Sequence, residues 1–97
     1  MEQEKILYVE RVNEYTLISF DNNQQRMAEY SLAIFEKILD SQLFFRANKS
    51  QIINVSKIIE IRYGANCLTA IMKTGEPIRI SKRRKKLLLD IIQPLKV

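Results

Sequence analysis

The chain has 97 residues, 46% of them hydrophobic, which is enough for one domain with a modest core over residues 1–97. Its single cysteine, Cys67, cannot form an internal disulfide; with no histidine there is no Cys/His metal site, and no run of about eighteen apolar residues offers a membrane span. The net charge is +5 and unevenly placed: residues 1–45 carry four bases against eight acids, net −4, and residues 46–97 carry twelve bases against three acids, net +9.

The start, Met1 to Lys5, is polar and acidic and is not a signal peptide. Two Gly and two Pro leave no flexible linker, and the lone thiol fits a reducing cytoplasm. Ile6 to Arg11 and Tyr15 to Phe20 are rich in strand formers, with a turn at Val12-Asn13-Glu14. Asp21-Asn22-Asn23 is a second turn, and Gln24 to Glu29 is the returning strand of an antiparallel meander. Ser31 reads as a helix N-cap. Leu32, Phe35, Ile38 and Leu39 follow at helical spacing in a helix of about two to three turns.

After Asp40-Ser41-Gln42 comes the stretch around which the chain is organised, Leu43 to Asn54. Phe44-Phe45 and Ile52-Ile53 are core. The block between them, Arg46 to Gln51, cannot be buried without partners for Arg46 and Lys49 and hydrogen bonds for Asn48, Ser50 and Gln51. It reads as a cationic loop pinned at both ends, able to offer donors to a partner.

Beyond it, Ile58 to Tyr63 alternates, with Ile59, Ile61 and Tyr63 on one face and Ile58, Glu60 and Arg62 on the other. Gly64-Ala65-Asn66 is a turn, and Thr74-Gly75 joins Leu68 to Lys73 with Glu76 to Ser81 as a hairpin. In the last strand Ile78 and Ile80 face one way, Arg79 and Ser81 the other; Pro77 marks an edge or a strand start. Ser81 caps a final helix that carries Lys82 to Lys86 in its first turn, with Leu88, Ile91 and Leu95 as its apolar positions and Pro94 at its end. The pattern is mainly β, with one short inserted helix and a C-terminal helix; strands do not alternate with long helices as in a parallel sheet.

Five cations at a helix start repel one another and the helix dipole, while the free N–H groups there attract anions. A bound phosphate relieves both, so Lys82, Arg83 and Arg84 are candidate phosphate contacts; the alternative is a solvated basic tail. The central loop, equally basic, favours phosphate. With the net +9 of the second half, the partner is a polyanion, nucleic acid ahead of an anionic membrane.

The order Phe44-x-Arg46-x-Asn48-Lys49-Ser50-x-Ile52-x-Asn54 resembles the central motif of LytTR DNA-binding domains, output modules of bacterial response regulators. Asn48-Lys49 stand where that family usually has His-Arg. Ser81-Lys82 resembles its Ser-Arg pair after the last strand, where the Arg position contacts DNA, and Tyr15 occupies a position on a DNA-contacting loop. The resemblance runs from Ile6 to Ile92. It implies an elongated stack of small antiparallel sheets that inserts loops into successive major grooves of double-stranded DNA at direct repeats, and it admits dimerisation on DNA. It makes the chain a stand-alone module or the C-terminal part of a regulator whose receiver domain is missing here. Asn48 and Lys49 are expected to read bases, by bidentate pairing to adenine and donation to guanine; Asn48 could instead bond its own backbone in a turn. Ser50 holds a phosphate or caps the loop, and Tyr15 could equally be a half-buried strand aromatic. Arg46 and Ser81 complete the candidate set.

An enzyme is not indicated: there is no nucleophile–base pair, no glycine-rich phosphate loop, no acidic metal cluster and no cofactor motif. The second reading is a single-stranded nucleic acid or RNA binder stacking bases on Tyr8, Tyr15, Tyr30 and Tyr63, whose spacing suggests no platform. A protein- or membrane-surface module comes third.

Overall fold

The structure, a computed structural model, describes residues 3–92. Strands β1 (Ile6–Val12), β2 (Tyr15–Phe20) and β3 (Gln25–Ala28) form the expected meander, and helix α1 (Leu32–Ile38) follows. The hairpin of β4 (Phe44–Asn48) and β5 (Gln51–Asn54) joins the same sheet, giving the order β3-β2-β1-β5-β4. Strands β6 (Ile58–Tyr63), β7 (Leu68–Met72) and β8 (Pro77–Ile80) make a second sheet in sequence order, and α2 (Lys85–Ile92) follows. All pairings are antiparallel, and the molecule measures 41 × 24 × 23 Å. Among the described residues no helix is long and apolar enough to cross a membrane.

The tight connections follow from their residues. Asn13 and Asn23 adopt φ of 57° and 68°, a left-handed conformation that Asn tolerates. Gly75, at φ 97°, turns the β7–β8 hairpin where a side chain would be strained. Ser31 caps α1 by accepting from the Ile34 N–H.

The five-stranded sheet is covered on both faces, which explains four consecutive buried residues at Ile6 to Val9. Ile6, Val9, Ile18, Phe44 and Ile52 pack against Leu32, Phe35 and Leu39 of the α1 segment. Leu7, Tyr8, Phe45, Ala47 and Ile53 pack against Leu68, Ala70, Met72, Ile78, Ile80 and Leu88 of the second sheet and α2. A bulge at Leu7, between the Ile6–Phe20 and Tyr8–Ser19 pairs, turns Leu7 and Tyr8 to the same side. Both members of the Phe44-Phe45 pair are therefore core, on opposite faces.

Several expectations change. Ile38 is exposed, because it lies at the rim of the stripe set by Leu32, Phe35 and Leu39. The face assigned to Ile59, Ile61 and Tyr63 is broken by a bulge at Ile59: Ile58 and Ile61 pack inward, while Ile59 and Tyr63 are each 63% exposed. The final helix starts later than Ser81, since Lys82–Arg84 form a 3-10 turn and α2 begins at Lys85. Leu88 is buried as expected and Ile91 is exposed; Pro94 and Leu95 lie outside the described residues. Pro77 opens β8, where no preceding ladder bond is lost.

Candidate nucleic-acid interface

The Arg46–Gln51 block is a β-hairpin end rather than a long loop. Arg46, Ala47 and Asn48 finish β4, Gln51 starts β5, and Lys49-Ser50 form the turn. Ala47 is an extra residue between the Arg46–Ile52 and Asn48–Gln51 pairs, and it is fully buried. This bulge bends the edge strand toward β8. There the Ala47 carbonyl accepts from the Ser81 N–H at 2.8 Å, and Asn48 Nδ2 donates to the Arg79 carbonyl at 2.7 Å. Two bonds thus fasten the hairpin tip to the end of the second sheet.

The tip is also held from within. Asn48 Oδ1 accepts from the Ser50 N–H at 2.8 Å, an Asx turn, and Nδ2 also donates to Gln51 Oε1 at 2.9 Å. Gln51 Nε2 in turn reaches Glu10 Oε2 at 3.2 Å. The Arg46 guanidinium donates from Nε to the Asn48 carbonyl (2.7 Å) and from Nη2 to the Lys49 carbonyl (2.6 Å), while Nη1 meets Glu36 Oε1 (2.9 Å). The Ser50 carbonyl accepts from the Arg11 N–H at 2.9 Å, which anchors the turn to β1.

This arrangement shapes a cleft of about 750 Å³ lined by Arg46, Asn48, Lys49 and Ser50 of the hairpin end and by Arg79 and Ser81 to Arg84 of the β8 end. Six of its residues are basic and none is acidic. Arg46 is ion-paired, but among the described residues Lys49, Arg79, Lys82, Arg83 and Arg84 have no carboxylate partner. The hydroxyls of Ser50 and Ser81 make no hydrogen bond there either, and Ser81 does not cap the turn that follows it. A second hollow of 340 Å³ adjoins the first across Arg46 and Lys49, and Arg11, Asn13, Tyr15 and Ser31 help to line it.

Eight of the nine residues singled out in the sequence line the first cleft, and Tyr15 lines the second. Tyr15 is the first residue of β2 and is exposed. Asn48 makes the backbone bond in a turn that was its alternative reading, and its amide makes three hydrogen bonds inside the protein. Asn54 is entirely buried: its Nδ2 donates to the Ile6 carbonyl and its Oδ1 caps the Val55–Lys57 turn. Two basic residues of this surface were not singled out. Arg79 was detectable from alternation, which puts it on the Ser81 face of β8. Arg11 arrives through the β1–β5 pairing, for which no local signal exists.

A family model for the LytTr DNA-binding domain matches residues 1–93. The chain belongs to the LytTR family. LytTR domains bind DNA in transcription regulation by response regulators, so DNA is the partner class of this chain. The LytTr DNA-binding domain of a putative methyl-accepting/DNA response regulator from Bacillus cereus has the same fold, with a TM-score of 0.86 at 23% identity over 96% of this chain and 85% of that one. No curated protein matches the sequence.

Proposed function

We propose that this LytTR domain recognises specific sequences in duplex DNA by placing the β4–β5 hairpin end in the major groove, with the Ser81–Arg84 turn gripping the adjoining backbone. The reading rests on one observation. Five cations without carboxylate partners and two free hydroxyls line a single cleft whose two walls are fastened together by hydrogen bonds. A two-stranded ribbon fits the roughly 12 Å width of the major groove. The Lys49 ammonium, at the apex and without a partner among the described residues, would donate to guanine N7 and O6. Ser50 and Ser81 would bond phosphate oxygens, as would Arg79, Lys82, Arg83 and Arg84. Tyr15 would meet the neighbouring backbone from the second hollow. Asn48 and Arg46 enter this reading as the residues that position the turn rather than as base readers.

The single-stranded alternative needs aromatic faces along the basic surface. Tyr8 is buried, and of the four tyrosines only Tyr15 lines either hollow. Duplex recognition is therefore favoured. We extend the proposal to direct repeats bound by two copies dimerising on the duplex, in a bacterial cytoplasm, under a receiver domain carried on a longer chain. The receiver domain takes its support from the response-regulator origin of the Bacillus cereus domain, and the repeats and dimerisation from the LytTR resemblance.

The test is selection from a random duplex pool, with single-stranded DNA and RNA as competitors. Duplex should win, and its log–log salt slope should be about −3 to −4 if four cations hold phosphates at roughly 0.9 each. Lys49→Ala should relax preference at one or two base positions. A uniform loss across all sequences would assign Lys49 to phosphate, and a flat salt response would end the duplex reading.

A further inference from the structure

We infer that Glu36, an acid beside a DNA-binding cleft, is a positioning residue for sequence recognition. The inference rests on the duplex reading above. Glu36 stands on α1, and its carboxylate accepts from Arg46 Nη1 at 2.9 Å. The same guanidinium spans the two successive carbonyls of Asn48 and Lys49 through Nε and Nη2. A planar guanidinium has a rigid fork of donors, so fixing one nitrogen fixes the direction of the others. Glu36 thereby orients the peptide units from which the Lys49 side chain departs. It also competes with phosphate for Arg46, which lines both hollows.

Charge alone gives the opposite expectation. An acid near the DNA repels phosphate, and removing it adds one positive charge to the surface. If that were all, Glu36→Ala and Glu36→Gln would strengthen binding equally and for every sequence. Positioning separates the two variants, because Gln keeps an oxygen that accepts from Nη1 and Ala does not. In Glu36→Ala, Arg46 is free to turn to phosphate. Non-specific affinity holds or rises, while the ratio of specific to non-specific affinity falls by about tenfold, the scale of one good base contact. In Glu36→Gln the ratio stays within about threefold of the unchanged chain, and only the charge effect is seen.

The Glu36 side chain is 46% exposed, so the ion pair adds little to stability and both variants are expected to fold. The experiment measures both variants and the unchanged chain on the selected duplex and on a scrambled one, across salt, with melting temperatures beside them. A loss of discrimination in Ala, restored in Gln at equal melting temperature, supports the inference. Equal gains in both variants on both duplexes overturn it. So does equal loss of discrimination in both, which would mean that the charge and not the acceptor matters. If the unchanged chain shows no preference between the duplexes, the duplex reading fails first, independently of Glu36.

Discussion

Asn48 and Lys49 are adjacent in the chain and opposite in how their side chains are engaged. The Asn48 amide makes three bonds within the protein, to the Ser50 N–H, Gln51 Oε1 and the Arg79 carbonyl. The Lys49 side chain, exposed at the turn, makes none among the described residues. Asn48→Ala leaves a part-buried acceptor and donor without partners, which costs about 1–3 kcal/mol. Chemical denaturation should register that loss, and specific DNA affinity should fall with it because the turn loses its tether to β8. Lys82→Ala with Arg83→Ala is the contrasting case. Both residues are exposed on the 3-10 turn, so stability should change by no more than about 0.5 kcal/mol. Their loss should weaken binding to selected and scrambled duplexes alike.

The turn between β4 and β5 depends on the bulge at Ala47. Its side chain is completely buried against the second sheet and α2, and its carbonyl receives the Ser81 N–H. Ala47→Leu overfills that space and should cost about 1–3 kcal/mol. It also pushes β4 away from β8 and widens the cleft, so duplex affinity should fall even at temperatures where the variant remains folded. Denaturation and binding measured on the same preparation distinguish the two effects. Bulges mark the limit of what alternation in the sequence reveals. Strand formers, the Asn13 and Asn23 turns, Thr74-Gly75 and the Ser31 cap are local signals, and the elements stand where those signals place them. The extra residues at Leu7, Ala47 and Ile59 are decided by the register with a partner strand, so the inward face of β6 could not be read from its own pattern. Arg46 to Gln51 stood out from its polarity between two apolar pairs as the stretch proposed to meet DNA. Which of its side chains serve the turn was not, because the Glu36 and Arg79 partners lie 10 and 31 residues away.

The two sheets must hold one geometry if the cleft between the hairpin end and the β8 end is to keep its width. Their shared core does most of this, and polar links at the periphery add to it. Asp21, in the β2–β3 turn, accepts from Lys57 Nζ at 3.0 Å; Lys57 lies between β5 and β6, and its carbonyl accepts from the Lys73 N–H at 2.8 Å. The bond from Lys57 holds the Asp21 carboxyl below its ordinary range; burial opposes it, and the nearby charges of Lys57, Lys73 and Lys5 add to it. A carboxyl whose pKa is lower folded than unfolded contributes stability wherever it is ionised in both states. That contribution is complete above about pH 4 and is lost as the pH falls through the depressed folded value. Asp21→Asn should therefore melt below the unchanged chain at neutral pH. The gap should hold down to about pH 5, narrow below pH 4 and close once the folded-state carboxyl is protonated. Thermal melts of the two proteins from pH 7 to pH 2 check this. A gap that stays constant across that range would mean that Asp21 acts through its shape and neutral hydrogen bonding, with no contribution from its charge.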